Sequence, residues 1–257
     1  MTPATRADAP VAPTVAQQHA NNLAHTQRLL ARAGGWPLHE GPGWVAADGL
    51  LPSRFFAAGV LTDRRLDPGP TIEALRAGGT WRPDDTGAIV FDTWGRPGTG
   101  DCATVPLMVR PAGPFGVVDD RVQVARDVSG LRLVEQALAA ALDRPPFRSL
   151  RPGSVLGAGL LASGLAAAVG VVDGAPCAVA LAVDDGTTVG VYLVGVAPGH
   201  RRTGLGAAVT AAAVGALAPR SALLTATRMG RGTYERLGWR AAGQATLWRV
   251  PRPPRSR

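Results

Sequence analysis

The stretch Val189–Thr210, VGVYLVGVAPGHRRTGLGAAVT, constrains this chain more than any other. An apolar run that reads as a strand passes through an Arg- and Gly-rich turn into an Ala-rich run that reads as a helix. The first N–H groups of a helix have no partner within it, and they sit at the positive end of its dipole. A strand delivering a glycine-rich turn to that point makes a site for a phosphate or pyrophosphate. Two nucleotide loops are excluded by their own requirements. A P-loop needs Lys followed by Ser or Thr after its second Gly, and the chain has no Lys; all 27 of its basic residues are Arg. A dinucleotide fingerprint needs a third small residue three places after the second Gly and an acid about 20 residues further on. Val209 stands at the first of these places, and the next carboxylate after Gly206 is Glu235.

The segments around this loop set its context. Residues 1–17 are rich in Ala, Pro and Thr without periodicity and read as a disordered lead. Gln18–Ala33 has helical spacing of Leu23, Leu29, Leu30 and Ala33, closed by Gly34-Gly35. Short strands are expected at Trp44–Ala47, Phe55–Val60, Ala88–Phe91 and Val105–Val109, with a helix at Thr71–Ala77 capped near Thr71. The breaker Pro111-Ala112-Gly113-Pro114, with Gly116, separates a first half, residues 18–118, from a second, 119–250; an Arg/Pro tail, 251–257, follows. The second half starts with a strand at Val122 and a helix, Ser129–Leu142, with Ser129 as its cap. Two Asp-Gly turns, at Asp173-Gly174 and Asp185-Gly186, join three apolar runs into an antiparallel meander that feeds the anion loop. A helix, a strand at Ala222–Thr227, a short helix near Arg231–Leu237 and a strand at Ala245–Val250 complete the order.

Arg201-Arg202-Thr203-Gly204-Leu205-Gly206, preceded by Val196-Ala197-Pro198, resembles the acyl-CoA pyrophosphate loop of the GNAT superfamily of N-acetyltransferases. Thr227–Trp239, TRMGRGTYERLGW, is similar to that superfamily's C-terminal motif, with Tyr234, Leu237, Gly238 and Trp239 at the matching places. Thr227 stands where many members have Asn, which puts one contact to the CoA arm in doubt. The resemblance covers roughly Val122–Val250. It implies an α+β fold with a central, mostly antiparallel mixed sheet flanked by helices. Residues 18–118 are similar to the degenerate first half of two-part members, which lacks a CoA loop, and no cofactor is assigned to them.

The resemblance also implies roles. Backbone groups of Val194, Gly195 and Val196 would hold the acetyl group and pantetheine, with the Val196 N–H closest to the thioester. The N–H groups of Arg201, Arg202, Thr203, Gly204, Leu205, Gly206 and Ala207 would bind pyrophosphate, and an Arg201 or Arg202 side chain would add charge-assisted bonds. Tyr234 takes the place of the general acid that protonates the leaving thiolate. The function implied is acetyl-CoA-dependent transfer to a primary amine of a small molecule, with no metal. A protein N-terminal or lysine acetyltransferase and a non-catalytic acyl-CoA-binding module are the alternatives. The last follows from a gap: the strand feeding the loop carries only Tyr192 as a polar side chain, so no general base is visible.

Composition adds little about partners. The net charge of +8 comes from scattered Arg, which argues against nucleic acid, whose binders concentrate Arg on one face. Val155–Val172 is long enough to be weighed as a membrane span, but Gly, Ala and Ser dominate it, and a short helical piece followed by a strand is expected. Cys102 and Cys177 have no metal spacing, and Cys177 reads as a buried hydrophobe. A reducing, cytoplasmic setting is expected, and a homodimer is left open. Trp36, Trp44, Trp81 and Trp94 read as core residues.

Overall fold

The computed structural model describes residues 13–49, 57–77, 88–97, 101–142, 153 and 155–250. Trp81, the tail 251–257 and most of the N-terminal lead lie outside the described residues. The strands are β1 (Leu38–Gly41), β2 (Trp44–Asp48), β3 (Ala57–Leu61), β4 (Ala88–Asp92), β5 (Cys102–Arg110), β6 (Val122–Val124), β7 (Leu165–Val172), β8 (Ala175–Asp184), β9 (Val189–Val196), β10 (Ala222–Thr225) and β11 (Arg240–Val250). The helices are α1 (Val15–Gly34), α2 (Pro68–Ala77), α3 (Val128–Leu142), α4 (Leu205–Gly215) and α5 (Arg231–Arg236). A 3₁₀ turn, Ala158–Ala162, precedes β7, so the apolar stretch 155–172 is a short helical piece and a strand. No helix among the described residues is long and apolar enough to cross a membrane.

All strands join one 11-stranded sheet, in the order β1-β2-β3-β4-β11-β5-β10-β9-β8-β7-β6. It is mostly antiparallel, with parallel pairs at β3/β4 and β9/β10. Each parallel pair follows a three-stranded meander and is bridged by a helix, α2 in the first half and α4 in the second. The last strand of each half is exchanged: β5 lies against β10, and β11 lies between β4 and β5. The two halves of the sequence thus share one hydrogen-bonded sheet.

Strand alternation decides which helix covers which face. On β8, Val179, Leu181 and Val183 face a core with α1 and α3, whereas Ala178, Ala180 and Ala182 face α4. Small residues on the second face bring α4 close to the sheet: a Cβ at Gly170 would lie 3.2 Å from Leu205 Cδ2. The first turn of α4, and the loop that enters it, are thereby fixed against β7. Cys177 is buried on this face, and burial pushes its thiol pKa up, as suits a small hydrophobe. Trp36 is buried, and Trp44 and Trp94 pack against a third cluster under α2.

Caps shift three predicted boundaries. Helix α1 starts at Val15, because the Thr14 hydroxyl accepts from the Gln17 N–H, so the helix begins inside the expected lead. Asp127, not Ser129, caps α3: its Oδ1 accepts from the Gly130 N–H at 2.7 Å. Helix α2 starts at Pro68, and Thr71 lies within it, donating to the Asp67 carbonyl.

Helix α1 packs on strands of both halves. Asn22 Nδ2 donates to the carbonyls of Val183 (3.1 Å) and Thr188 (3.0 Å), and Tyr192 Oη donates to Asn22 Oδ1 at 2.6 Å. His19 stacks on Tyr192 at 6.3 Å between ring centroids, and neither ring nitrogen has a hydrogen-bond partner among the described residues. Burial lowers the His19 pKa from 6.5 to about 4. The unfolded chain therefore binds a proton between these values that the folded chain refuses, so stability is present above pH 6.5 and is lost as pH falls toward 4. At about 1.4 kcal/mol per unit this one group accounts for up to about 3 kcal/mol. Urea unfolding at pH 7 and pH 4.5 should show that loss in the wild type and a smaller one in His19→Phe, which keeps the stacked ring. Equal pH slopes would contradict this origin.

Candidate cofactor loop and strand opening

Strand β9 leaves the sheet on one side. It pairs with β10 only at Val189 and Gly190, while on its other side it pairs with β8 through Val196. A bulge displaces the β8 register between Val179 and Leu181, and Leu193 takes φ 52° there. A non-glycine residue at positive φ carries local strain, and such positions cluster at binding sites. The Ala197 N–H donates to the Cys177 carbonyl on β8 at 2.7 Å. Alternation then turns the N–H groups of Val194 and Val196 to the opposite, open edge. Gly195 lies beneath α3, where a Cβ would approach Ala141 Cβ to 2.8 Å, so only glycine fits without a shift.

The chain then makes a 3₁₀ turn, Pro198–His200, and enters the loop. Arg202 has φ 67° and Gly204, the residue before α4, has φ 89°. This pair of left-handed residues turns the backbone inward. The Arg201 N–H is used by Pro198 O and the Ala207 N–H by Gly204 O. The N–H groups of Arg202, Thr203, Gly204, Leu205 and Gly206 donate to no described residue. Consecutive free N–H groups at a helix start form an anion-binding nest. Gly206 faces the strand: a Cβ there would sit 3.4 Å from Val196 Cγ2.

Three arginines surround this nest. Arg201 folds back, its Nε donating to the Val196 carbonyl at 3.2 Å. Arg202 is exposed and makes no hydrogen bond with a described residue, which leaves it the freer cation. Arg121 comes from just before β6; its Nη2 donates to the Thr203 carbonyl at 3.2 Å and to Asp119 at 2.6 Å. No local sequence signal marks Arg121, since it is 82 positions from Thr203. Leu193 and the tight fit at Gly195 likewise have no signature in the sequence.

Tyr234, on α5, is buried in the same apolar cluster as Leu205 and Val209, against which Val194, Val196 and Ala207 pack. Its ring meets Trp239 edge-on at 5.9 Å. Its hydroxyl makes no hydrogen bond with a described residue, and burial pushes its pKa up to about 12. Arg110 secures this region: its Nε donates to the Leu237 carbonyl at 2.9 Å, and its guanidinium lies 3.8 Å over the Phe115 ring.

The two acids of the β8–β9 turn are occupied. Asp184 pairs with Arg220 at 2.9 Å, and Asp185 Oδ1 accepts from the N–H groups of Thr187 and Thr188. Tyr192 points to α1, on the face away from α4. No group of three or more His, Cys, Asp or Glu positioned to hold a metal occurs among the described residues.

No family model matches the sequence, and a search of curated proteins gives no match. Solved structures do match. A GCN5-related N-acetyltransferase from Kribbella flavida superposes with TM-score 0.61 at 20% identity, covering 94% of this chain and 98% of that one. A GNAT-family protein from Novosphingobium aromaticivorans gives 0.57 at 18%, covering 91% and 96%. A protein of unknown function from Staphylococcus epidermidis gives 0.56 at 11%, covering 85% and 95%. The chain therefore has the GNAT acetyltransferase fold, across both of its halves.

Proposed function

We propose that the protein is an acetyl-CoA-dependent N-acetyltransferase acting on a primary amine of a small molecule. The observation that carries this reading is the continuity of two donor sets. The free N–H groups of Arg202–Gly206 suit a pyrophosphate, and the open edge of β9 begins six residues earlier, at Val196. Acetyl-CoA fits this order, with phosphates at the helix start and the thioester beside the strand. The amine attacks the thioester carbonyl, and the oxyanion that develops needs a donor already in place. The N–H of Val196 is assigned that role, with the Val194 N–H available to the pantetheine arm. Arg202 and the nest N–H groups bind the pyrophosphate, and Arg121 holds the Thr203 carbonyl so that the nest stays open.

When the tetrahedral intermediate collapses, the C–S bond breaks and the thiolate needs a proton. Tyr234 is assigned as the donor. A phenol with a pKa near 12 keeps its proton at every working pH. Transfer to a thiolate of pKa about 8.5 is uphill, so the donor must be close and aligned. The amine's own proton leaves to solvent, since no carboxylate among the described residues lies on β9, and the Tyr234 oxygen takes a proton back from solvent before the next turnover.

Stopped assays of thiol release with acetyl-CoA and an acceptor amine test the acid. Tyr234→Phe should lower kcat about 100-fold with little change in the KM for acetyl-CoA. The wild-type rate should show no loss from phenol ionisation below about pH 11, given the raised pKa. Unchanged kcat in Tyr234→Phe across the pH range would remove Tyr234 from the mechanism.

A further inference from the structure

A cavity of about 350 Å³ lies between the outer face of α1 and the 3₁₀ turn 158–162. It is at the far end of the sheet from the cofactor loop. The turn leads into Leu165, which pairs with Val183, and Asp184 pairs with Val189 at the start of β9. Val196 and the loop leave from the other end of β9, on the order of 20 Å away at the usual strand rise.

The lining has a consistent chemistry. Arg28 and Arg32 stand one turn apart on α1 and share a face. Arg28 gives its Nε to Glu40 at 2.6 Å, which leaves both terminal nitrogens, and Arg32 makes no hydrogen bond or ion pair with a described residue. Ser163 already donates its hydroxyl proton to the Leu160 carbonyl at 2.7 Å. Leu29, Ala33 and Leu160 supply an apolar floor. The last turn of α1 is closed by the Gly35 N–H on the carbonyls of Ala31 and Arg32, so its exposed acceptors are reduced. His25 also lines the cavity, and its Nε2 is buried without a hydrogen-bond partner among the described residues, so the free polar capacity is two guanidinium groups and one imidazole nitrogen over a hydrophobic surface. An occupant must be rich in acceptors and largely apolar. An inorganic anion would meet the donors and leave the floor uncovered, whereas a carboxylate matches the planar fork of Arg and brings an apolar body.

We propose that this cavity binds a small carboxylic acid with a compact apolar body, at a site separate from the acyl-CoA loop. Benzoate is the probe. Titration followed by calorimetry and by saturation-transfer NMR should give a Kd of about 1 mM or tighter. Benzamide, which keeps the shape without the charge, should bind at least tenfold more weakly. Arg32→Gln, a change at an exposed position, should weaken benzoate at least tenfold with the melting temperature unchanged. Saturating CoA should leave the benzoate Kd as it was. Absence of benzoate binding at millimolar concentration, equal affinity for benzamide, or an unchanged Kd in Arg32→Gln overturns the proposal. Displacement by CoA also overturns it, because benzoate would then occupy the cofactor loop.

Discussion

Replacing Gly204 by Val should weaken CoA binding by about 30-fold, roughly 2 kcal/mol, in a protein that still folds. The effect arises from the backbone. Gly204 has φ 89° and ψ −17°, and no atom lies within 4 Å of where its Cβ would be. Nothing collides with a new side chain, but a β-branched residue is disfavoured in that conformation by about 1–2 kcal/mol. The peptide relieves the strain by turning, and the N–H groups of Leu205 and Gly206 turn with it. These groups make no hydrogen bond with a described residue, so the fold loses little and the anion site loses much. Gly204→Asn, which tolerates the left-handed region, should fall between wild type and Val. Calorimetry with CoA checks the series; equal Kd values in all three proteins would detach the loop from CoA.

Replacing Glu135 by Ala should cost about 3–5 kcal/mol of stability and lower the melting temperature by about 10 °C. Glu135 is 1% exposed on the inner face of α3. Its Oε1 accepts from the N–H groups of Val155 and Leu156, both at 2.7 Å, and its Oε2 accepts from the Gly153 N–H. Truncation leaves two donors buried beside Val155 and Leu156, each 2% exposed, without an acceptor. Each orphaned donor costs about 1–3 kcal/mol. Glu135→Gln should recover part of the loss, since its oxygen can accept from Val155 and Leu156 while its NH₂ faces the Gly153 donor. Thermal and urea unfolding check both variants. A shift of less than about 1 kcal/mol for Ala would mean that these contacts do not hold the segment. Glu135 is a helix carboxylate that a search for a missing base would consider, and its bonds to backbone N–H groups give it a structural role instead.

The meander and the loop were legible because their signals are local. Asp173 and Gly174 both take positive φ, as an Asp-Gly hairpin turn requires, and the Gly-rich loop leads directly into α4. Alternation along β8 and the Ala-rich run of α4 also carry their structure within a few residues. The first half is less legible. Strand β1, Leu38–Gly41, carries no strand signal, because its half-buried LHEG pattern has little hydrophobic contrast. The exchange of β5 and β11 has no local signal at all. It is decided by which edges the two halves offer one another, at sequence separations that periodicity does not reach. The site divides in the same way. Gly204 and Gly206 announce themselves by type and spacing. Arg121 acts from 82 positions away, and Leu193 acts through its backbone, where the side chain carries no trace.

The central claim, acetyl transfer from CoA to a small amine through the β9 opening and the Arg202–Gly206 nest, is tested most directly with isotope-labelled acetyl-CoA. The purified protein is incubated with a panel of small primary amines, and product is followed by mass spectrometry together with thiol release. The account predicts that at least one amine gains the labelled acetyl group in step with free CoA, and that Gly204→Val suppresses both. Tight CoA binding with no amine-dependent label transfer across the panel would contradict it and leave an acyl-CoA-binding module in its place.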